Sequence, residues 1–225
     1  MLAIIPARGG SKGLPNKNIK ELNGKPMIAY TIEEAKKSKY ITQIIVSTDS
    51  QEIAKIATSY GASIPFIRPA ELATDTALAI DNYIYTIERL MKSSKNEISE
   101  FIVLQPTSPL RLAEDIDAAI ELYHNKKADS VISYTKEQHP IIWHKYITED
   151  NKFDNIFKDS LNNRQEERVS YYPNGSIFIF RYDLIKNRKY YSDKSFAYKM
   201  PRKRSIDIDT IEDFEYAEYL LKKRI

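Results

Sequence analysis

Three cationic side chains share one short glycine-rich stretch near the start of the chain. Arg8, Lys12 and Lys17 follow a short apolar run, with three glycines among them. Glycine lets backbone N–H groups crowd around an anion, and the cations add positive charge to the same loop. The stretch therefore predicts a polyphosphate site, although a turn with solvated charges has a similar composition.

Two other kinds of phosphate loop are excluded by the order of these residues. The Walker motif needs Gly-Lys followed by Ser or Thr, and here Gly24-Lys25 is followed by Pro26. A dinucleotide fingerprint needs Gly-x-Gly-x-x-Gly, but the residue two positions before Gly10 is Arg8. We therefore expect a phosphate loop of another kind.

A pair of carboxylates near the end of the chain forms a second candidate site. Asp207 and Asp209 alternate with Ile206 and Ile208, so both carboxylates face the same way if the segment is extended. Mg²⁺ prefers a few carboxylates together with substrate phosphates, and this pair suits it. Alternatively, Asp209 caps the last helix and Glu212 completes a capping box. Both interpretations stay open.

Composition and charge exclude several other functions. The absence of cysteine removes thiol nucleophiles and thiolate metal sites, and the three histidines lack a zinc spacing. The net charge of +3 is small for a nucleic-acid binder, and the cluster Arg202-Lys203-Arg204 is interpreted as a solvated loop, with a phosphate contact as the alternative. No apolar run approaches the roughly 20 residues of a membrane span. We expect a soluble, cytoplasmic protein that binds neither nucleic acid nor membranes.

The elements that must position these residues alternate along the chain. Short apolar runs predict strands, and amphipathic stretches between them predict helices. The predicted strands are 2–5, 43–48, 64–67, 101–104, 130–133 and 176–180, and the predicted helices are 26–37, 51–60, 74–92, 113–126 and 211–223. This alternation predicts one α/β domain over 1–225, with a parallel sheet and helices on both faces.

Polar residues follow several of the predicted strands. The cationic loop follows the first strand, Arg68 follows the third, and Gln105 follows the fourth. In open parallel sheets, ligands bind beyond the carboxyl ends of the strands. We therefore expect these residues to line one pocket.

The alternation fails over residues 136–172. This region carries Trp143, the one tryptophan of the sequence, and many polar residues without a clear helix. Long irregular insertions in compact domains are usually functional. We interpret the insertion as an arm that packs on a partner chain, with a surface loop of no function as the alternative.

Six ordered segments resemble the acylneuraminate cytidylyltransferase (CMP-sialic acid synthetase) family, and the resemblance covers nearly the whole chain. Matches in this order and at compatible spacing are hard to obtain by chance. The segments are Ala7-Arg8 with Ser11-Lys12-Gly13-Leu14-Pro15 and Lys17-Asn18; Val46-Ser47-Thr48-Asp49; Arg68-Pro69-Ala70-Glu71-Leu72-Ala73 with Asp75-Thr76; Leu104-Gln105-Pro106-Thr107-Ser108-Pro109-Leu110-Arg111; Pro173-Asn174-Gly175; and Ile206-Asp207-Ile208-Asp209-Thr210.

The resemblance implies a homodimeric, Rossmann-like nucleotidyltransferase with a three-layer, doubly wound and mostly parallel sheet. It implies transfer of CMP from CTP to the anomeric hydroxyl of a nine-carbon 2-keto sugar acid, of sialic or legionaminic type. Pyrophosphate is then the second product, Mg²⁺ the cofactor, and the insertion the dimerisation arm.

The resemblance also implies roles for individual residues. Arg8, Lys12 and Lys17 are the implied catalytic residues, and Asp207 with Asp209 is the implied metal pair. The implied nucleotide-binding residues are Ala7, Arg8, Gly10, Ser11, Lys12, Lys17, Asn18 and Arg68. The implied sugar-binding residues are Gln105, Arg164, Asn174 and Gly175, with Arg164 available to the neighbouring subunit's site.

Two positions depart from the family pattern. Tyr172 stands where many relatives have an arginine, and Trp143 stands where some have a lysine, so positive charge is lost near the implied sugar end. The identity of the sugar acid is therefore open. The alternatives are a nucleotidyltransferase for another sugar such as Kdo, and a non-catalytic nucleotide-binding protein.

Overall fold

A computed structural model of the chain describes residues 1–94, 97–157 and 168–223. Its strands are β1 (Leu2–Pro6), β2 (Glu21–Leu22), β3 (Lys25–Pro26), β4 (Gln43–Ser47), β5 (Glu100–Leu104), β6 (Ser130–Lys136), β7 (Lys145–Ile147), β8 (Phe153–Asn155), β9 (Tyr171–Arg181) and β10 (Ser195–Lys199). Its α-helices are α1 (Met27–Lys37), α2 (Gln51–Ser59), α3 (Ala79–Ser94), α4 (Ala113–Lys126), α5 (Tyr182–Lys186) and α6 (Ile211–Lys222).

The central sheet has six strands in the order β10-β6-β9-β5-β1-β4. Strand β1 pairs in parallel with β4 and β5, and β10 pairs in parallel with β6. The exception is β9, which runs antiparallel to both of its neighbours. In the described part of the insertion that joins β6 to β9 no crossover helix forms, and an antiparallel neighbour does not need one. The predicted, mostly parallel α/β sheet is confirmed.

Helices cover both faces of the sheet and make it the middle of three layers. Successive residues of β1 point to opposite faces, as the pleat of a strand requires. Ala3 and Ile5 pack with apolar residues of α1, α2 and α4, whereas Leu2 and Ile4 pack with those of α3 and α5. Both faces are buried, which explains why the strands read as continuous apolar runs.

Two predicted elements differ in the structure. The strand predicted over 64–67 does not form, and a single bridge from Ser63 to Ile45 joins this segment to the sheet. Pro65 has no N–H to donate to a ladder, which accounts for the difference. The helix predicted from residue 74 begins at Ala79, and the residues before it form a loop.

The predicted insertion over 136–172 contains more structure than expected. Strands β7 and β8 form a small antiparallel hairpin, preceded by a single helical turn at Ile141–Trp143. Residues 158–167, and with them Arg164, lie outside the described residues. Among the described helices, none combines the length and the apolar character needed to cross a bilayer.

Candidate functional site

A pocket of about 740 Å³ opens at the carboxyl edge of the sheet. Its wall combines the cationic loop after β1, the loop before α3, the segment after β5 and the acidic pair before α6. Of the predicted site residues, those that line it are Arg8, Ser11, Lys12, Lys17, Asn18, Arg68, Gln105, Asp207 and Asp209. The cationic loop and the acidic pair, far apart in sequence, therefore meet in one cavity.

One carboxylate that the sequence analysis did not single out pairs with two of the loop cations. Arg8 Nη1 lies 2.9 Å from Asp75 Oδ1, and Lys12 Nζ lies 2.5 Å from Asp75 Oδ2. Hydrogen bonds from Lys12, and then from Arg8, lower the pKa of Asp75. Asp75 belongs to one of the six family segments, but its place in the sequence did not predict ion pairs with Arg8 and Lys12.

The third cation joins the loop to the acidic pair. Lys17 Nζ donates to Asp209 Oδ1 at 2.7 Å. The backbones also touch here, because a Cβ atom placed on Gly13 would lie 2.6 Å from the carbonyl oxygen of Asp209. Only glycine fits this approach without a shift of the backbone. The loop therefore packs directly on the segment that carries both carboxylates.

The structure excludes the capping interpretation of Asp209, while metal binding by Asp209 stays a prediction. The cap of α6 is Thr210, whose side chain accepts from the backbone N–H of Asp213, while Asp213 Oδ2 accepts from the N–H of Thr210. The predicted cap by Asp209 with Glu212 is therefore wrong by one residue. Thr210 closes the box since its hydroxyl reaches the third residue of the helix.

Asp207 and Asp209 together could hold a divalent cation in the pocket, whereas Asp75, the third carboxylate that lines it, pairs with two of the loop cations. Desolvation by the surrounding protein raises the pKa of Asp207; the Thr107 hydroxyl opposes this, and the charge of Asp209 adds to it. Within the described part of the chain, no group of three or more acidic, histidine or cysteine side chains forms a metal cluster. The pair nevertheless fits Mg²⁺, which commonly takes one or two protein carboxylates and completes its shell with phosphates and water.

Arg68 is buried in the pocket wall, beside the end of β4. Its backbone N–H donates to Thr48 O at 2.8 Å, and its Nη2 lies 3.5 Å from Asp49 Oδ1. Burial lowers the pKa of Arg68, and the charge of Asp49 offsets part of this effect. Asp49 also accepts from the N–H of Gly9 at 3.0 Å, so it links Arg68 to the cationic loop.

Gln105 and Gly175 lie together beside Asp207. Gly175 has a φ of +71°, and a Cβ atom there would lie 2.7 Å from Asp207 Oδ2 and 3.4 Å from Gln105 Oε1. The last residue of the segment that contains Gln105, Arg111, is fully buried and donates to Ser176 O at 2.7 Å and to Gln105 O at 3.3 Å. Arg111 thus ties the segment after β5 to β9.

Among the described residues, four of the predicted site residues do not line the pocket. Asn174 is buried: its Oδ1 accepts from the Ser133 hydroxyl at 2.5 Å, and its Nδ2 donates to the Ser205 hydroxyl at 2.8 Å. Ala7 is buried, Gly10 is exposed beside the pocket, and Gly175 lies behind Asp207. Direct contact of these residues with a ligand stays a prediction. Asn174 supports the part of β9 that carries Gly175, where the register against β6 shifts.

The basic cluster before the acidic pair has a structural use. Arg204 donates to the buried Asp115 at the start of α4, with Nε at 2.8 Å and Nη2 at 2.7 Å. Tyr198 donates to the same carboxylate. Arg204 does not line the pocket, so the structure places it at a helix terminus and not at the phosphate end of the site.

Comparison with known proteins gives matches over nearly the whole chain. The family model described as cytidylyltransferase matches residues 2–225. A CMP-N,N'-diacetyllegionaminic acid synthase of Legionella pneumophila is 38% identical over 230 residues, covering 99% of this chain and 96% of the relative. A pseudaminic acid cytidylyltransferase of Campylobacter jejuni is 32% identical over 224 residues, covering 98% and 96%.

An N-acylneuraminate cytidylyltransferase of Streptococcus agalactiae is 37% identical over 217 residues, covering 95% of this chain but 51% of that relative. The chain therefore spans about half the length of this relative. Among solved structures, a CMP:2-keto-3-deoxy-manno-octonic acid synthetase complexed with CTP superposes with a TM-score of 0.72 at 17% identity, covering 100% of this chain and 99% of the other. At that identity the likeness shows the shared fold.

Proposed function

The chain belongs to the cytidylyltransferase family, and we propose on this basis that it transfers CMP from CTP to the anomeric hydroxyl of a 2-keto sugar acid and releases pyrophosphate. The names of its relatives support a nine-carbon acid of the sialic or legionaminic type. The observation that carries the proposal is the meeting of the cationic loop and the acidic pair in one pocket, with Lys17 2.7 Å from Asp209.

The residues of this pocket match the demands of the reaction. The anomeric hydroxyl loses its proton to water as its oxygen forms a bond to the α-phosphorus, and the bond from that phosphorus to the pyrophosphate oxygen breaks. Transfer of this kind depends mainly on positioning and on neutralising negative charge. Arg8, Lys12 and Lys17 supply positive charge for the triphosphate, and they lie on one loop beside the acidic pair.

Asp207 and Asp209 would hold Mg²⁺ in this proposal. When bound, Mg²⁺ would supply further positive charge for the phosphate oxygens. Asn18 and Arg68 would contact the nucleoside, since both line the pocket and both are buried. Gln105 would contact the sugar acid with Gly175 behind it, while Asn174 and Arg164 are proposed from the family resemblance alone.

We also propose that residues 136–172 form the arm of a homodimer. The described part of this arm exposes large apolar side chains on the hairpin β7–β8, with Tyr146 at 64%, Ile147 at 58% and Phe153 at 77% exposure. Clustered apolar residues at a surface are typical of an interface. A second copy of the chain is the proposed partner.

A coupled assay of pyrophosphate release tests the function. The purified protein is given CTP, Mg²⁺ and, in turn, sialic, legionaminic, pseudaminic and Kdo acids. We expect release with at least one nine-carbon acid and a loss of release in Asp207→Asn. Release with Kdo alone would replace the nine-carbon acceptor, and CTP binding without release from any acid would favour a non-catalytic nucleotide-binding protein.

A further inference from the structure

Asn82, on the first turn of α3, has a buried amide group that the rest of the protein uses only in part. The side chain lines the pocket, yet the residue is only 3% exposed. Its Oδ1 accepts from Ser47 Oγ at 2.8 Å and from Thr86 Oγ1 at 3.4 Å. Its Nδ2 finds no hydrogen-bond partner among the described residues.

An unused amide N–H in such a place points to a ligand. Buried donors in folded proteins nearly always have a partner, because leaving one unpaired costs free energy. The hydroxyls of Ser47 and Thr86 both bind Oδ1 of Asn82, which leaves Nδ2 without a hydrogen bond from this cluster. A ligand in the pocket can supply the acceptor that the described residues lack.

The position of Asn82 indicates which part of the ligand it meets. Its partner Ser47 is the last residue of β4, the edge strand that lies beside β1 in the sheet. Asp207, Gln105 and Gly175 lie on the other side of β1, where β5 ends and the first half of β9 runs. In the proposed function the triphosphate binds the loop after β1 and the sugar acid lies near Gln105. The nucleobase then lies on the remaining side of the pocket, next to the end of β4 and to Asn82.

Two further unpartnered atoms lie in the same pocket wall. Asn18 Oδ1 is a buried acceptor and Arg68 Nε a buried donor, and neither has a partner within the described part of the chain. Together with Asn82 Nδ2 they offer one acceptor and two donors. Cytosine presents the complement, an amine donor with two acceptors, N3 and O2, whereas uracil has an N–H at N3 and a carbonyl in place of the amine.

We propose that Asn82 is a specificity-determining residue that donates its Nδ2–H groups to the acceptor edge of cytosine formed by N3 and O2. The inference rests on the proposed function, since it takes CTP as the nucleotide. It assigns Asn82 a part in the choice of base, separate from the charges that hold the triphosphate.

The substitution Asn82→Asp tests this assignment, because it exchanges the N–H donor for an acceptor of nearly the same shape. Binding of CTP, UTP and inorganic triphosphate is measured by calorimetry for parent and variant. We expect CTP affinity to fall by at least about tenfold and the ratio of CTP to UTP affinity to fall with it. Inorganic triphosphate should bind within about threefold of the parent, since only the added charge acts on it.

Two more variants keep the test decisive. Asn82→Ala, used if the aspartate variant does not fold, should weaken CTP binding and leave triphosphate binding unchanged. Thr86→Val removes a hydroxyl from the same buried cluster without touching the pocket wall, and Ser47 still holds the amide. It should keep the parent's ratio of CTP to UTP affinity.

The outcomes separate this inference from the proposed function. If the parent binds CTP and the folded variants keep its CTP to UTP ratio, the role of Asn82 is refuted and the proposed function stands. A change confined to the KM for the sugar acid would also refute it. If the parent binds no cytidine nucleotide, the proposed function fails, and the inference fails with it.

Discussion

Each cation that we assign to the triphosphate already has a carboxylate partner in the pocket. Arg8 and Lys12 share Asp75, and Lys17 pairs with Asp209. These pairs are partly exposed, so each contributes little to folding stability. Their effect is instead on the ligand, because a polyphosphate must compete with these carboxylates or bind beside them.

Lys17→Ala should lower kcat/KM for pyrophosphate release by about a hundredfold or more, because one charge that faces the transferring phosphate is lost. The fold should persist, with the free energy of unfolding changed by less than about 1 kcal/mol. Steady-state kinetics and urea denaturation measure the two effects. Lys92→Ala, on the exposed side of α3, is the control, and an unchanged rate in Lys17→Ala would remove this lysine from the phosphate site.

Asp75→Asn should tighten the binding of inorganic triphosphate by about threefold at low ionic strength, because Arg8 and Lys12 lose their competing carboxylate. Added salt should reduce the gain, since salt screens exposed charges. Asp81→Asn serves as the control, because Asp81 pairs with Arg188 away from the pocket. Weaker binding in Asp75→Asn would mean that Asp75 orients the two cations for the ligand.

Hydrogen bonds from Arg111 hold strand β9 and the segment after β5 together beside the pocket. Arg111 is buried and bonds to both segments, and burial lowers its pKa to about 10, although the charge of Asp115 opposes this. Within β9, Gly175 follows the buried Asn174 and has a positive φ directly behind Asp207. The position of the Asp207 carboxylate therefore depends on how the β9 strand starts.

Gly175→Ala should both destabilise the fold and impair turnover. The left-handed backbone costs alanine about 1–2 kcal/mol, and the added Cβ would displace the Asp207 carboxylate. Gly24→Ala is a matched control, because Gly24 also has a positive φ, +75°, but its Cβ would meet nothing within 4 Å.

Denaturation and Mg²⁺-dependent kinetics are measured on both glycine variants. We expect a similar loss of stability in the two, and a loss of turnover in Gly175→Ala alone. Equal turnover in both would show that Asp207 does not depend on the space at Gly175.

In the described chain as a whole, helices cover the central sheet, whereas the arm exposes large apolar side chains to solvent. Both faces of the sheet are packed by helices, whereas the hairpin β7–β8 and the nearby turn leave Trp143 at 43% and Phe153 at 77% exposure. Trp143 and Phe153 belong to neither of the two apolar clusters that cover the sheet. The arm is therefore where an association of two copies can be tested without unfolding the chain.

Phe153→Asp should convert the proposed homodimer to a monomer, because a charge at an apolar interface is not compensated there. Light scattering coupled to size exclusion measures the molar mass. Tyr219→Asp, at another exposed aromatic position, on α6 with 55% exposure, should leave the mass unchanged. A parent that is monomeric at all concentrations tested would refute the dimer and the role of the arm.

Local features of the chain were sufficient to predict most of its elements. Four of the five predicted helices have observed ends within about one residue of those expected. The cationic loop was recognised because its glycines and charges are neighbours in sequence. The segment 64–67 failed because Pro65 removes a ladder donor, and the run of apolar residues alone does not reveal this.

Contacts between distant residues account for what could not be predicted. Lys17 and Asp209 are 192 positions apart, and Asp75 meets its two cations only after the chain has folded. The direction of β9, the cap at Thr210 and the unused amide of Asn82 depend likewise on which segments become neighbours. Periodicity and composition report on the local chain, whereas partners, burial and unpaired donors are properties of packing. For this protein, sequence specified the layers and the candidate groups, and packing specified which groups share a pocket and which of them remain available to a ligand.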